Sequence, residues 1–203
     1  MKPSLVIALH GLGANGADLM PLQAMMGLND VPWLFPDAPE MSVTANMGMR
    51  MPAWFDILGF SPIDAVDQVG IARSAKTVDQ LLAEQSALGV DVSQVVLLGF
   101  SQGGVVALHA GLSGSFRVGA VVGLSTWLPA AEALAPVSGE QQTTPVWLGH
   151  GRLDSIVPLM AHERAKTSLS QLGVKQLTSR SYAMAHSILP EELEDVRLWI
   201  EGL

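Results

Sequence analysis

Gly99-Phe100-Ser101-Gln102-Gly103 sets a serine between two glycines, directly behind the apolar run Val95-Val96-Leu97-Leu98. The pattern fits G-x-S-x-G, in which a tight strand-to-helix turn lifts the hydroxyl clear of the backbone. Glycine flanks remove the Cβ atoms that such a turn would crowd. Gly104-Val105-Val106-Ala107-Leu108 follows and reads as the start of a buried helix, so both flanks agree with the motif. A serine hydroxyl is a weak nucleophile until a base takes its proton. The chain must therefore also supply a base and a group to orient it. In the order serine, acid, histidine, the candidates are Asp154, in Gly149-His150-Gly151-Arg152-Leu153-Asp154, and His186, in Met184-Ala185-His186-Ser187. Asp37 and Asp56 precede the serine, against that order, and Asp91 falls at the far end of the sheet from it.

Acyl transfer through a serine also needs donors for the oxygen that becomes negative. One is the backbone N–H of Gln102, at a helix N-terminus whose dipole favours negative charge. The second is the backbone N–H of Leu12, in His10-Gly11-Leu12-Gly13 after the first apolar run. The same glycines would suit an ordinary turn, and the Gly-Lys-Ser/Thr ending of a phosphate loop is absent. The remaining histidines read as structural. His109 lies inside the helix after the serine, packed or partly exposed, and His162 on the surface of a later helix. His150 makes a structural hydrogen bond near the Asp154 loop. No two histidines have metal-ligand spacing, so neither metal nor cofactor is expected.

These groups must be held by a frame. Short apolar runs alternate with longer helical segments, which predicts an α/β protein with a largely parallel sheet. The strands are expected at Leu5–Leu9, Val31–Phe35, Val95–Leu98, Val118–Leu124, Val146–Leu148 and Lys175–Ser181. Their near-continuous hydrophobicity predicts helices on both faces. Ser61-Pro62-Ile63-Asp64 carries a helix-start signal for a helix to Leu88, with a break expected near Gly70 and a stop at Gly89. Further helices are expected over Pro158–Leu172 and from Pro190, where Leu193, Val196, Ile200 and Leu203 recur at helical spacing. The stretch from Pro36 to Gly59 has no regular pattern and holds Met41, Met47, Met49 and Met51. It reads either as a surface loop or as an adaptable apolar wall for an acyl chain, Met51 included.

Composition narrows the function classes. The 203 residues are expected to form one domain, 1–203. Hydrophobic residues make up 49% and charged residues 15%, which excludes a disordered chain. A net charge of −8 argues against nucleic acid as a partner and against electrostatic docking on anionic membranes. Without cysteine there is no disulfide framework and no thiolate chemistry. Lys2 followed by Leu5–Leu9 is short for a secretory signal, and no run is long enough for a membrane span. The expectation is a soluble, cytoplasmic protein. Trp127-Leu128-Pro129 and the methionine-rich stretch suggest an exposed apolar patch and, through it, a homodimer.

Taken together, these segments resemble the carboxylesterase/acyl-protein thioesterase/lysophospholipase family of α/β-hydrolases. The resemblance rests on His10-Gly11-Leu12-Gly13, Pro52-Ala53-Trp54-Phe55-Asp56-Ile57, Leu98-Gly99-Phe100-Ser101-Gln102-Gly103-Gly104, Leu124-Ser125, His150-Gly151 with Asp154 and Val157-Pro158, and Met184-Ala185-His186-Ser187. It implies an α/β-hydrolase fold of about six strands without a large lid domain. It also implies a Ser101–Asp154–His186 triad, an oxyanion hole from Leu12 and Gln102, and a substrate groove near Trp54, Trp127 and Leu128. The expected function is hydrolysis of carboxylic esters or thioesters, on small-molecule or lipid-like acyl substrates or an acylated protein. A lysophospholipase or acyltransferase on the same residues is the alternative, and a binding protein that keeps the fold without turnover is more remote. Ala14 and Ala185 depart from the family pattern, where an acid and a glycine are frequent. The chain is expected to start at its first core strand, without the leading antiparallel strands that some relatives have, and none of these departures removes a catalytic group.

Overall fold

The computed structural model describes residues 1–59, 66–131, 134 and 139–203. Its centre is a six-stranded, all-parallel sheet built from β1 (Leu5–Leu9), β2 (Trp33–Leu34), β5 (Val95–Phe100), β6 (Ala120–Leu124), β7 (Val146–Gly151) and β8 (Leu177–Tyr182). The spatial order is β2-β1-β5-β6-β7-β8. The chain runs outward from β1 to β2, then returns to the other side of β1 with β5. The direction of winding therefore reverses between β1 and β5, and open α/β sheets place ligand sites at the C-terminal ends of the strands flanking such a reversal.

Alternate residues of each strand feed two cores. On one face Leu5, Ile7, Leu9, Val95, Leu97, Val121, Val146 and Leu148 pack against α2 (Gln68–Ala87), α3 (Gln102–Ser113) and α4 (Leu159–Gln171). On the other, Val6, Ala8, Val96, Leu98, Ala120, Val122, Leu124 and Trp147 pack against α1 (Pro21–Met25) and α5 (Pro190–Gly202). Burial on both sides explains why these strands read as unbroken apolar runs.

Most elements fall where the sequence places them, with ends shifted by a few residues. β2 shrinks to two residues, and β8 starts at Leu177 instead of Lys175. The helix-start signal at Ser61-Pro62-Ile63-Asp64 lies outside the described residues. The helix α2 begins later, at Gln68, and is capped by Asp67, whose side chain accepts the Gly70 N–H, so Gly70 sits in the first turn and marks no break. The stretch from Pro36 to Gly59 is not wholly irregular. It contains an antiparallel hairpin, β3 (Glu40–Val43) with β4 (Met49–Pro52), in which Met41 pairs with Met51 and Val43 with Met49. Its turn reverses at Met47 and Gly48, both with positive φ.

Two side-chain environments also depart from expectation. His162 is buried, because it shares the inward stripe of α4 with Ala161, Ala165 and Leu169. Trp127, Leu128 and Pro129 are buried as well and form no exposed patch. The exposed methionines of the hairpin are Met47 and Met49. Among the described residues no helix is long and apolar enough to cross a membrane.

α5 carries one ionisable group into its core: Glu192 is fully buried, against the backbone of Gly149 in β7. Burial, reinforced by the Asp195 charge and partly offset by the Leu189 amide, pushes its carboxyl up to about 8. A carboxyl raised in the folded state stays protonated while its unfolded counterpart ionises, so its contribution to stability is lost as pH climbs from the ordinary carboxylate range towards 8. Glu192→Gln, which cannot ionise, is expected to gain on the native protein across that window by up to about 1.4 kcal/mol per pH unit, the limit set by one proton. Urea denaturation at pH 5, 6.5 and 8 measures this, and parallel stability profiles for the two proteins would refute it.

Candidate active site

The strand ends are level with one another. Leu9 pairs with Gly99, Phe100 with Leu124, Leu124 with Gly149, and Gly151 with Tyr182. The loops leaving β1, β5, β7 and β8 consequently emerge together. Ser101 sits between β5 and α3 at φ 54° and ψ −117°. This is a left-handed backbone that a side chain rarely adopts and that is held only where its surroundings enforce it. Here its N–H donates to the Leu124 carbonyl at 2.9 Å, and its own carbonyl accepts the Thr126 hydroxyl at 2.7 Å. Tight contact on the strand side requires glycine at 103, where a Cβ would lie 2.1 Å from the Leu9 carbonyl oxygen.

His186 lies in the loop between β8 and α5, and Asp154 in the loop after β7. The His186 Nε2 is 2.9 Å from Ser101 Oγ, and its Nδ1 is 2.7 Å from Asp154 Oδ2. An ionised carboxylate only accepts. The proton therefore resides on His186 Nδ1, and Nε2 presents its lone pair to the serine hydroxyl. The other carboxylate oxygen, Asp154 Oδ1, accepts the N–H groups of Ile156 and Val157 at 2.8 and 2.9 Å. The acid is thus fixed from both sides, and its side chain is fully buried. Three residues far apart in the chain form one continuous hydrogen-bonded relay that ends at a hydroxyl in a cleft.

A second imidazole stands behind the acid. His150 donates from Nε2 to the Val157 carbonyl at 2.8 Å, and the same nitrogen lies 3.5 Å from Asp154 Oδ2. Its ring packs against that of His162, with centroids 4.9 Å apart. Burial lowers the His150 pKa despite the pull of the Val157 carbonyl and of Asp154. Burial, with His150 beside it, lowers that of His162 to about 4. Both are therefore neutral at pH 7, as packing residues should be. His109 is also buried, with Nε2 2.9 Å from the Pro129 carbonyl oxygen.

The Leu12 loop lies over the serine turn. A Cβ built at Gly11 would lie 3.5 Å from Ser101 Cβ. Leu12 N–H and Gln102 N–H donate to no protein acceptor among the described residues, which leaves both free for a ligand oxygen. The Gln102 side chain does work that its motif alone did not disclose. Its Oε1 accepts the Trp54 N–H at 2.9 Å, and its Nε2 donates to the Phe55 carbonyl at 2.7 Å, both buried. Trp54 in turn donates from its indole Nε1 to the His10 carbonyl at 2.9 Å. The segment after β4 therefore ties the helix start to the loop after β1.

The cleft beside Ser101 has a volume of about 730 Å³, within the range of small-molecule sites. Its walls are mostly apolar, with Leu12, Leu19, Leu22, Met25 and Ile188 among them. Of the four residues expected to touch substrate, Trp127 lines this cleft. Leu128 lines a neighbouring cavity beside α4. Trp54 is buried behind the wall, and Met51 lies beside Gly13 with its sulfur accepting from Asn46. Among the described residues no group of three or more histidine, cysteine, aspartate or glutamate side chains could hold a metal ion.

The family model described as Phospholipase/Carboxylesterase matches residues 2–203. The chain is 35% identical to acyl-protein thioesterase 1 of Emericella nidulans, over 97% of this chain and 88% of that protein. Among solved structures it superimposes on Arabidopsis thaliana SOBER1 with a TM-score of 0.92 and 30% identity, covering 98% of both chains. It matches Zea mays acyl-protein thioesterase 2 with a TM-score of 0.87 and 28% identity, covering 98% of this chain and 93% of that one.

The Gln102 clamp has a measurable cost of removal. Gln102→Leu keeps the volume but strands the buried Trp54 N–H and Phe55 carbonyl, each worth about 1–3 kcal/mol when left unsatisfied. A loss of about 2–6 kcal/mol in chemical denaturation is expected. A change below about 0.5 kcal/mol would show that these bonds do not hold the segment.

Proposed function

Because the chain belongs to the phospholipase/carboxylesterase family of α/β-hydrolases, we propose that Ser101, His186 and Asp154 are the groups by which it cleaves its substrates. The protein is a serine hydrolase of carboxylic esters or thioesters. The observation that carries the residue assignment is the unbroken relay from Asp154 through His186 to Ser101, at 2.7 and 2.9 Å, opening on an apolar cleft.

In this reading Ser101 Oγ attacks the carbonyl carbon while His186 Nε2 takes the hydroxyl proton. The carbonyl π electrons move to oxygen, and the Leu12 and Gln102 N–H groups stabilise the resulting oxyanion. The tetrahedral intermediate collapses, the bond to the leaving oxygen or sulfur breaks, and His186 returns the proton to that atom. Water then repeats the sequence on the acyl-enzyme, giving up its proton to His186 and releasing the acid and free Ser101. Asp154 keeps Nδ1 protonated and stabilises the imidazolium formed in each half.

The cleft's apolar lining suits an acyl chain, and the name carried by the fungal and maize relatives makes an acylated protein the leading substrate class. Lysophospholipids are the second, because they present the same ester to the same serine. We read residues 1–203 as one catalytic domain.

Ser101→Ala is expected to lower kcat on a p-nitrophenyl ester by on the order of 10⁶, since the three groups act as a unit. Retention of native turnover by the purified variant would exclude Ser101 as the nucleophile. Comparing p-nitrophenyl esters of graded length with an S-acylated peptide and a lysophospholipid orders the substrate classes by kcat/KM, and the acylated peptide is expected to lead.

A further inference from the structure

His10 is fully buried at the C-terminal end of β1, and both of its ring nitrogens are engaged. The Ala38 backbone N–H reaches Nε2 at 3.0 Å. A backbone N–H can only donate, so Nε2 must carry the lone pair. In the neutral ring the proton then belongs to Nδ1, which lies 2.7 Å from the Gly11 carbonyl oxygen. The ring therefore donates to Gly11. The same carbonyl oxygen accepts the Ala14 N–H at 3.3 Å. The Gly11–Leu12 peptide is planar, and no cis bond occurs among the described residues. In a trans peptide the carbonyl and the following N–H point in opposite directions. Holding the Gly11 oxygen back against His10 thus turns the Leu12 N–H the other way. That amide has no protein acceptor among the described residues, and Leu12 lines the cleft that contains Ser101. Glycine at position 11 leaves this peptide more conformational freedom than another residue would, so the bond has a rotation to restrain.

We propose that His10 is a positioning residue of the oxyanion site, its Nδ1–H holding the Gly11 carbonyl so that the Leu12 amide faces the reacting oxygen. The proposal rests on the reading above that Leu12 N–H is one of the two donors. His10 touches no reacting atom and acts only through the orientation of one peptide group. Its two bonds have different purposes. The one to Ala38 anchors the ring in the fold, and the one to Gly11 sets the catalytic geometry.

Two near-isosteric replacements separate these purposes. An asparagine amide falls near the position of Nδ1 and can keep donating to Gly11 while leaving Ala38 unpaired. A glutamine amide falls near Nε2 and can accept from Ala38 while losing the bond to Gly11. The measurements are kcat and KM on p-nitrophenyl butyrate and the inhibition constant of butylboronic acid, whose serine adduct carries a tetrahedral oxygen. Loss of one oxyanion donor lowers kcat by about 10²–10³. H10Q is therefore expected to lose roughly 10²-fold in kcat, to weaken for the boronic acid by a similar factor, and to keep KM within about twofold. H10N should stand at least about tenfold above H10Q in kcat, although it forfeits the anchoring bond. A purely structural histidine would give the reverse order or equal losses, and either result overturns the proposal.

A second measurement needs no stable variant. Long-range proton–nitrogen correlation spectra of the unaltered protein are expected to find His10 as the Nδ1–H tautomer, and the Nε2–H tautomer would overturn the proposal. Labelling of the unaltered protein by a fluorophosphonate keeps the two levels apart. Reaction at Ser101 with equal kcat losses in both variants removes the role of His10 alone. No reaction at Ser101 removes the hydrolytic site and this inference with it.

Discussion

The parallel pairing of β1 with β5, with Leu9 opposite Gly99, is the constraint on which the site depends. Two turns leave these adjacent strands at the same level. One carries the Leu12 N–H, and the other carries Ser101 in its left-handed conformation with the Gln102 N–H behind it. The fit is close enough that no side chain is tolerated at Gly103, whose Cβ position is occupied by the Leu9 carbonyl. Shifting the register by one residue would exchange the two faces of β1 and bury the wrong side chains. The packing of the two strand faces into their separate cores that selects the register therefore also selects the distance between Ser101 and the Leu12 loop.

Strain at Ser101 is balanced by bonds that have no other evident purpose. Its N–H is held by Leu124 and its carbonyl by Thr126, so β6 and the loop after it brace the turn formed by β5. The Gln102 clamp on Trp54 and Phe55, and the Trp54 bond to the His10 carbonyl, brace it from the opposite side. A preorganised site of this kind spends folding energy on geometry, so that little reorganisation remains when charge develops. The neutral His150–His162 pair behind Asp154 fits the same logic, because it fills the space behind the acid without competing for the His186 proton.

The chemistry was more legible in the sequence than the packing. Ser101, Asp154 and His186 could be named because the order and local patterns of such groups constrain them strongly, and the structure brings these three together. β1, β5 and β7 are legible as short apolar runs. The β3–β4 hairpin is hidden because Pro39 precedes it, Pro52 ends it and methionine carries no strand preference to mark it. His162 was misread as a surface residue although its spacing from Ala165 and Leu169 already placed it on the inward stripe of α4. Trp54 and Gln102 act through partners about fifty residues away, and local pattern holds no record of such contacts.

The hydrolytic assignment stands or falls on where the acyl group goes. Mixing the protein with a p-nitrophenyl ester, quenching in acid within milliseconds and mapping the peptides by mass spectrometry reads this out directly. The acyl mass is expected on the peptide containing Ser101, appearing with the first burst of nitrophenolate and disappearing as substrate is exhausted. Turnover with no acylated Ser101 peptide at any quench time, or with the acyl group on another side chain, would contradict it.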